Sequence, residues 1–128
     1  MLSTAHLVAF LPTHDLDRAR RFFADVIGLP LVEDTPFASV FDANGTTLRV
    51  TPVAPFTRPA HTVLGWVVAD IAAETRALAA RGVHFERYEG MEQDASGVWT
   101  TPGGDRVAWF KDVDGNTLSL TQITGTAR

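Results

Sequence analysis

Apolar residues fall along this chain in two alternating rhythms, and the order of the rhythms occurs twice. Residues 5–12 (AHLVAFLP) are an apolar run rich in strand formers, closed by Pro12. Leu16, Ala19, Phe22, Phe23, Val26 and Ile27 then recur at the i, i+3, i+4, i+7 spacing of one helix face. Asp15 stands at the N-cap, Gly28 is the stop signal and Pro30 lies beyond it. Strand-like pieces follow at 31–34, 37–42 and 46–52, with Asn44-Gly45 as a tight hairpin turn. The proline-rich stretch 52–59 reads as a linker. A second strand is predicted at 61–68. Asp70 caps a helix with apolar-side positions Ile71, Thr75, Leu78 and Ala79, and Gly82 ends it. Further strands are predicted at 83–87, near 98–101, at 106–111 and at 117–122, with Gly103-Gly104 and Asp114-Gly115 as turns. Residues 88–96 (YEGMEQDAS) are polar and irregular, and long enough to edge a pocket.

The two passes are related by identity as well as by rhythm. At an offset of 55, Ala5/Ala60, His6/His61, Val8/Val63, Asp15/Asp70, Arg21/Arg76 and Ala24/Ala79 coincide. At an offset of 70, Asp42/Asp112, Gly45/Gly115, Thr47/Thr117, Leu48/Leu118 and Thr51/Thr121 coincide. The larger second offset places an insertion at 88–104. The chain is therefore expected to be one α+β domain of two tandem βαβββ units, 1–56 and 60–128. A single helix covers one face of each small sheet and leaves the other open. Two units side by side are expected to curl their sheets around a shared cavity, the natural place for a ligand.

Composition narrows the functions. Apolar residues make up 45% of the 128 positions and the formal charge is −4, with no basic concentration suited to nucleic acid. The absence of cysteine excludes disulfides, thiolate catalysis and thiolate-bound zinc. The first residues carry no charged, cleavable leader and no apolar run approaches a membrane span, so a cytoplasmic protein without membrane contact is expected. The DVDGN turn at 112–116 lacks the ligand frame of a calcium loop, and there is no phosphate-binding glycine motif or nucleophile elbow.

Three segments, HLVAFLPTHDLDRARRFFADVIGLPLV (6–32), VVADIAAETRALAARGVHF (67–85) and VAWFKDVDGNTLSL (107–120), make the chain resemble the vicinal oxygen chelate superfamily. That superfamily includes glyoxalase I, bleomycin-resistance binding proteins, fosfomycin-resistance enzymes and extradiol dioxygenases. The most specific pieces are Asp15-Leu16-Asp17-Arg18 with Phe22-Phe23 and Gly28-Leu29, and the Asp112-x-Asp114-Gly115-Asn116 turn, where Val113 replaces the usual proline. The resemblance implies a homodimer. It also implies four metal-ligand positions, two histidines and two glutamates, which fall here on Val8, Leu64, Arg49 and Ser119. Val and Leu have no donor, Arg is a permanent cation and Ser is a poor ligand without a deprotonating partner. No metal cofactor is therefore expected at these positions.

The resemblance thus implies a pocket that binds a small organic molecule. Val8, Phe10, Arg49, Leu64, Trp66 and Ser119 are the expected lining, with Trp66 and Phe10 placed there by strand parity. Arg49 either anchors a ligand carboxylate or phosphate, or pairs with an acid of the protein. Trp99 and Trp109 flank the insertion, which carries Tyr88, Glu86, Glu89 and Glu92 as a solvated loop or a source of a general base. The alternative is a metal-dependent lyase or dioxygenase with a displaced divalent-metal site on His6 and His61, although His61 has the opposite parity to Leu64.

Overall fold

The computed structural model describes residues 1–125. Two compact units divide the chain, Met1–Thr57 and Arg58–Arg128. Each is a four-stranded sheet with one helix, built in the same order.

In the first unit a short 3₁₀ turn, Leu2–Thr4, precedes β1 (Val8–Thr13), α1 (Leu16–Arg21), β2 (Leu31–Thr35), β3 (Ala38–Ala43) and β4 (Thr46–Pro52). The strand order is β1-β4-β3-β2. β1 runs parallel to β4 and the other neighbours are antiparallel. The second unit repeats the plan with β5 (Thr62–Val67), α2 (Ile71–Ala80), β6 (Trp99–Thr100), β7 (Arg106–Lys111) and β8 (Thr117–Gln122), in the order β5-β8-β7-β6. The predicted α+β tandem of βαβββ units is the observed one.

Local chemistry fixes the elements. The Asp15 carboxylate accepts from the Arg18 N–H at 3.2 Å, and Asp70 accepts from the Ala73 N–H at 3.1 Å. After Arg21 the first helix widens into a π turn over Phe22–Val26, with the Ile27 N–H bonded to the Phe22 carbonyl at 3.0 Å. The periodic stretch therefore has one apolar face, but its last turn is underwound. Asn44 (φ 51°) and Gly45 (φ 96°) supply the two left-handed conformations of a tight hairpin turn.

Helix and sheet share one core in each unit. In the first, Leu11, Phe41, Leu48 and Val50 are buried against Phe23, whose ring lies 5.9 Å from that of Phe41. On the same side Arg20 ion-pairs with Asp17 and Asp34, and Asp34 accepts from the Ser39 hydroxyl at 2.8 Å. In the second, Ile71 and Leu78 are buried with Ala108, Phe110, Leu118 and Leu120. The Gln122 side chain accepts the Ile71 N–H at 2.8 Å, tying the start of α2 to β8.

Three predicted strands differ from the structure. β1 begins at Val8, and Leu7 is 73% exposed. The predicted strand 83–87 is a single bridge, Phe85 to Phe110. Val83 is still hydrogen-bonded to the Leu78 carbonyl, and Glu86 bonds to the Trp109 carbonyl before the chain turns away. One rung is all that the helix exit and the following loop leave room for. β6 is correspondingly short.

Candidate ligand-binding faces

Because α1 and α2 each cover one side of a sheet, the side chains that alternate with the core form an open face. In the first unit Leu11, Leu48, Val50 and Phe41 point to the helix. Val8, Phe10 and Arg49 therefore point the other way. Phe10 is the register partner of Arg49, and Arg49 that of Val40, which pairs in turn with Glu33. The row across the sheet reads Phe10, Arg49, Val40, Glu33. Phe10 is 65% exposed, Arg49 is half-buried and Val40 is buried. Glu33 stands two strands from Arg49, and no ion pair joins them. Among the described residues of its unit, Arg49 has no ion-pair partner. The alternative in which it merely pairs with a nearby acid is not what this unit shows.

In the second unit the row is Gly65, Ser119, Trp109. Ser119 is the repeat partner of Arg49, and Gly65 takes the place that Phe10 has in the first unit. A Cβ at Gly65 would lie 2.5 Å from the Ser119 Oγ, so the missing side chain leaves that hydroxyl its position. Trp109 is flanked by two rings: Tyr88 meets it edge-on at 5.5 Å between centroids and 84°, and Trp99 lies at 6.2 Å and 30°.

Leu64 and Trp66 do not belong to this face. Their register partners are Leu118 and Leu120, both buried on the helix side. Trp66 stacks on the buried Phe110 at 6.5 Å and 18°. The register shifts between Thr62 and Leu64, with Val63 as the extra residue. That bulge lies before Leu64, so counting back from Asp70 does not cross it. Val8 stands seven residues before Asp15, and the equivalent place before Asp70 is Val63; starting from Leu64 instead reverses the parity of the whole reading of β5. The sequence carried a usable clue: the offset of 55 that matches Val8 to Val63 also matches Phe10 to Gly65 and Leu11 to Trp66. The residues that the parity reading passed over are Gly65 and Trp109.

His6 and His61 are both exposed and lie just outside the starts of β1 and β5. Within each unit, no three His, Asp or Glu side chains among the described residues gather as a metal site. The four positions that the family uses for metal carry Val8, Arg49, Ser119 and, at the same seven-residue distance before the helix cap as Val8, Val63. An arginine, two hydrocarbons and an unassisted hydroxyl do not fit a divalent cation.

A family model for the glyoxalase/bleomycin resistance protein/dioxygenase superfamily matches residues 4–120. Among solved structures, TnmS3 from Streptomyces sp. CB03234, an antibiotic binding protein, superposes with a TM-score of 0.73 at 26% identity, covering 97% of this chain and 100% of that one. A superfamily member from Sphaerobacter thermophilus DSM 20745 gives 0.75 at 20% identity, covering 96% and 100%. Lactoylglutathione lyase from Agrobacterium tumefaciens gives 0.72 at 18% identity, covering 93% of each chain. The last two likenesses are of fold. No curated protein matches the sequence. With the paired βαβββ units and a family match over nearly the whole length, the chain belongs to the glyoxalase/bleomycin resistance protein/dioxygenase superfamily.

Proposed function

We propose that this protein binds a small, planar or amphipathic organic anion on its open sheet faces and holds it without a metal ion. The observation that carries the reading is the Phe10–Arg49–Val40 row. It is a half-buried guanidinium beside apolar side chains that makes no ion pair among the described residues of its unit. A cation so placed favours a carboxylate, sulfonate or phosphate, which it can grip through two parallel hydrogen bonds. In the second unit the Ser119 hydroxyl and the Trp109 ring offer a hydrogen bond and a stacking surface of their own. The antibiotic-binding role of TnmS3 supports sequestration as the kind of task.

As in the resemblance, the protein is read as a homodimer. The apolar side chains Leu7, Phe37 and Val67, all more than 60% exposed, are surface that association would cover. Light scattering then gives twice the 13.9 kDa chain mass.

The binding reading is tested by calorimetric titration of chelator-treated protein with anthraquinone-2-sulfonate, a flat aromatic anion. The expected result is saturable binding that weakens about tenfold or more in Arg49→Ala, in line with the loss of a charge-assisted contact. Binding that needs added metal, or that ignores Arg49, overturns it.

A further inference from the structure

We infer that segment 86–98, which leads into the insertion at 88–104 and forms most of it, is a pre-set arm that selects flat aromatic ligands, with Tyr88 as the selecting ring and Gln93 as the residue that positions it. The inference rests on the reading of the open faces as a ligand site and adds what kind of molecule the second face prefers.

The segment has almost no regular secondary structure, yet it is closely bonded. Gln93 is the hub. Its amide oxygen accepts the Tyr88 N–H at 2.7 Å, and its amide nitrogen donates to the Glu86 and Gly97 carbonyls, each at 2.8 Å. Both amide protons and the carbonyl oxygen are thus committed within the arm. Around this hub the Arg87 guanidinium donates to the Gln93 and Asp94 carbonyls at 3.1 and 2.9 Å. The Asp94 carboxylate accepts the Ser96 and Val98 N–H groups, both at 2.9 Å. Gly97 has φ +91°, and a Cβ there would lie 2.9 Å from that of Phe85, so the returning chain can pass this close to Phe85 only with a glycine.

The product of this bonding is the placement of one side chain. Tyr88 is the only tyrosine in the sequence, and it is set at right angles to Trp109 while remaining 38% exposed. A loop that served only to connect α2 to β6 would not need its amide groups spent on orienting a half-exposed ring. Two rings at 84° make a corner in which a flat molecule can stack on one and meet the edge of the other. A globular molecule of the same charge can use only one wall. Holding the corner before the ligand arrives removes the ordering cost from binding. The first unit has no counterpart, since the insertion belongs to the second alone.

Two sulfonates test this on the intact chain: anthraquinone-2-sulfonate, which is flat, and 10-camphorsulfonate, which is globular. The wild type is expected to prefer the flat probe. Tyr88→Ala lowers the flat probe's affinity roughly three- to tenfold, the span of one aromatic pair, and leaves the globular probe unchanged. Gln93→Ala reduces the same preference although it touches no ligand, and it shifts the near-ultraviolet circular dichroism of the Tyr88–Trp109–Trp99 cluster. Tyr88→Leu, which leaves the hub intact, serves as the control for folding. Binding of both probes with an unaltered preference in Tyr88→Leu and Gln93→Ala overturns the inference and leaves the binding reading standing. Failure of the wild type to bind either probe overturns both.

Discussion

At the scale of single residues, what decides the chemistry is which side chain stands at each place in a repeated row. Arg49 and Ser119 occupy equivalent places in β4 and β8, and Phe10 and Gly65 equivalent places in β1 and β5. One sheet therefore offers charge beside an exposed ring, and the other a hydroxyl beside a gap. Tyr88 is governed by its surroundings in the same way. Burial, and then the charge of Glu86, raise its phenol above the ordinary 10.0. Since the chain has a single tyrosine, absorbance near 295 nm follows this group alone. Its midpoint is expected above 10.0, and Glu86→Gln moves it part of the way back. The folded protein holds the proton longer than the unfolded chain does. The group's contribution to stability is thus complete below 10.0 and is lost as pH rises through the raised value. A midpoint at or below 10.0 would contradict the packing of Tyr88 against Trp109.

At the scale of elements, the punctuation of the sequence carries most of the fold. Asp15 and Asp70 cap their helices through the same side-chain bond, and the Asn44-Gly45 and Asp114-Gly115 turns stand at matching places in the two units. Capping residues, glycines and the apolar period were enough to predict β3, β4, β7, β8 and both helices. The element misplaced was β5: the first unit's spacing, carried to Asp70, falls on Val63, and a start at Leu64 put Leu64 and Trp66 on the wrong face. An apolar run whose residues suit either face does not expose such a one-residue slip. Tertiary contact decides it, here the stacking of Trp66 on Phe110. The arm at 86–98 was hidden for a different reason: its order comes from a glutamine hub, and such bonding has no periodicity to read. The caps yield a direct test. Asp70→Ala leaves the Ala73 N–H without its partner and should lower stability by about 1 kcal/mol in urea unfolding. Asp70→Ser should recover most of that loss. An Asp70→Ala protein as stable as the parent would show that α2 is held by Ile71 and Leu78 alone.

At the scale of the whole molecule, one βαβββ plan is used twice and then decorated unequally. Symmetry of fold is kept by the buried pairs Leu48/Leu118 and Phe41/Phe110, while the open-face positions have diverged. The divergence has a thermodynamic consequence that a chelator can test. A resident ion bound by the native state adds stability by mass action, and its removal lowers the melting temperature. With Val8, Val63, Arg49 and Ser119 at the relevant positions, there is no ligand set for such an ion to stabilise through. Prolonged treatment with a strong chelator should therefore leave both the melting temperature and the affinity for anthraquinone-2-sulfonate unchanged, the latter within about twofold, since no linked equilibrium has been disturbed. A drop in melting temperature that Zn²⁺, Ni²⁺, Mn²⁺ or Fe²⁺ restores, and that His6→Ala abolishes, would instead place a metal at the start of β1. It would transfer the chemistry from Arg49 to His6.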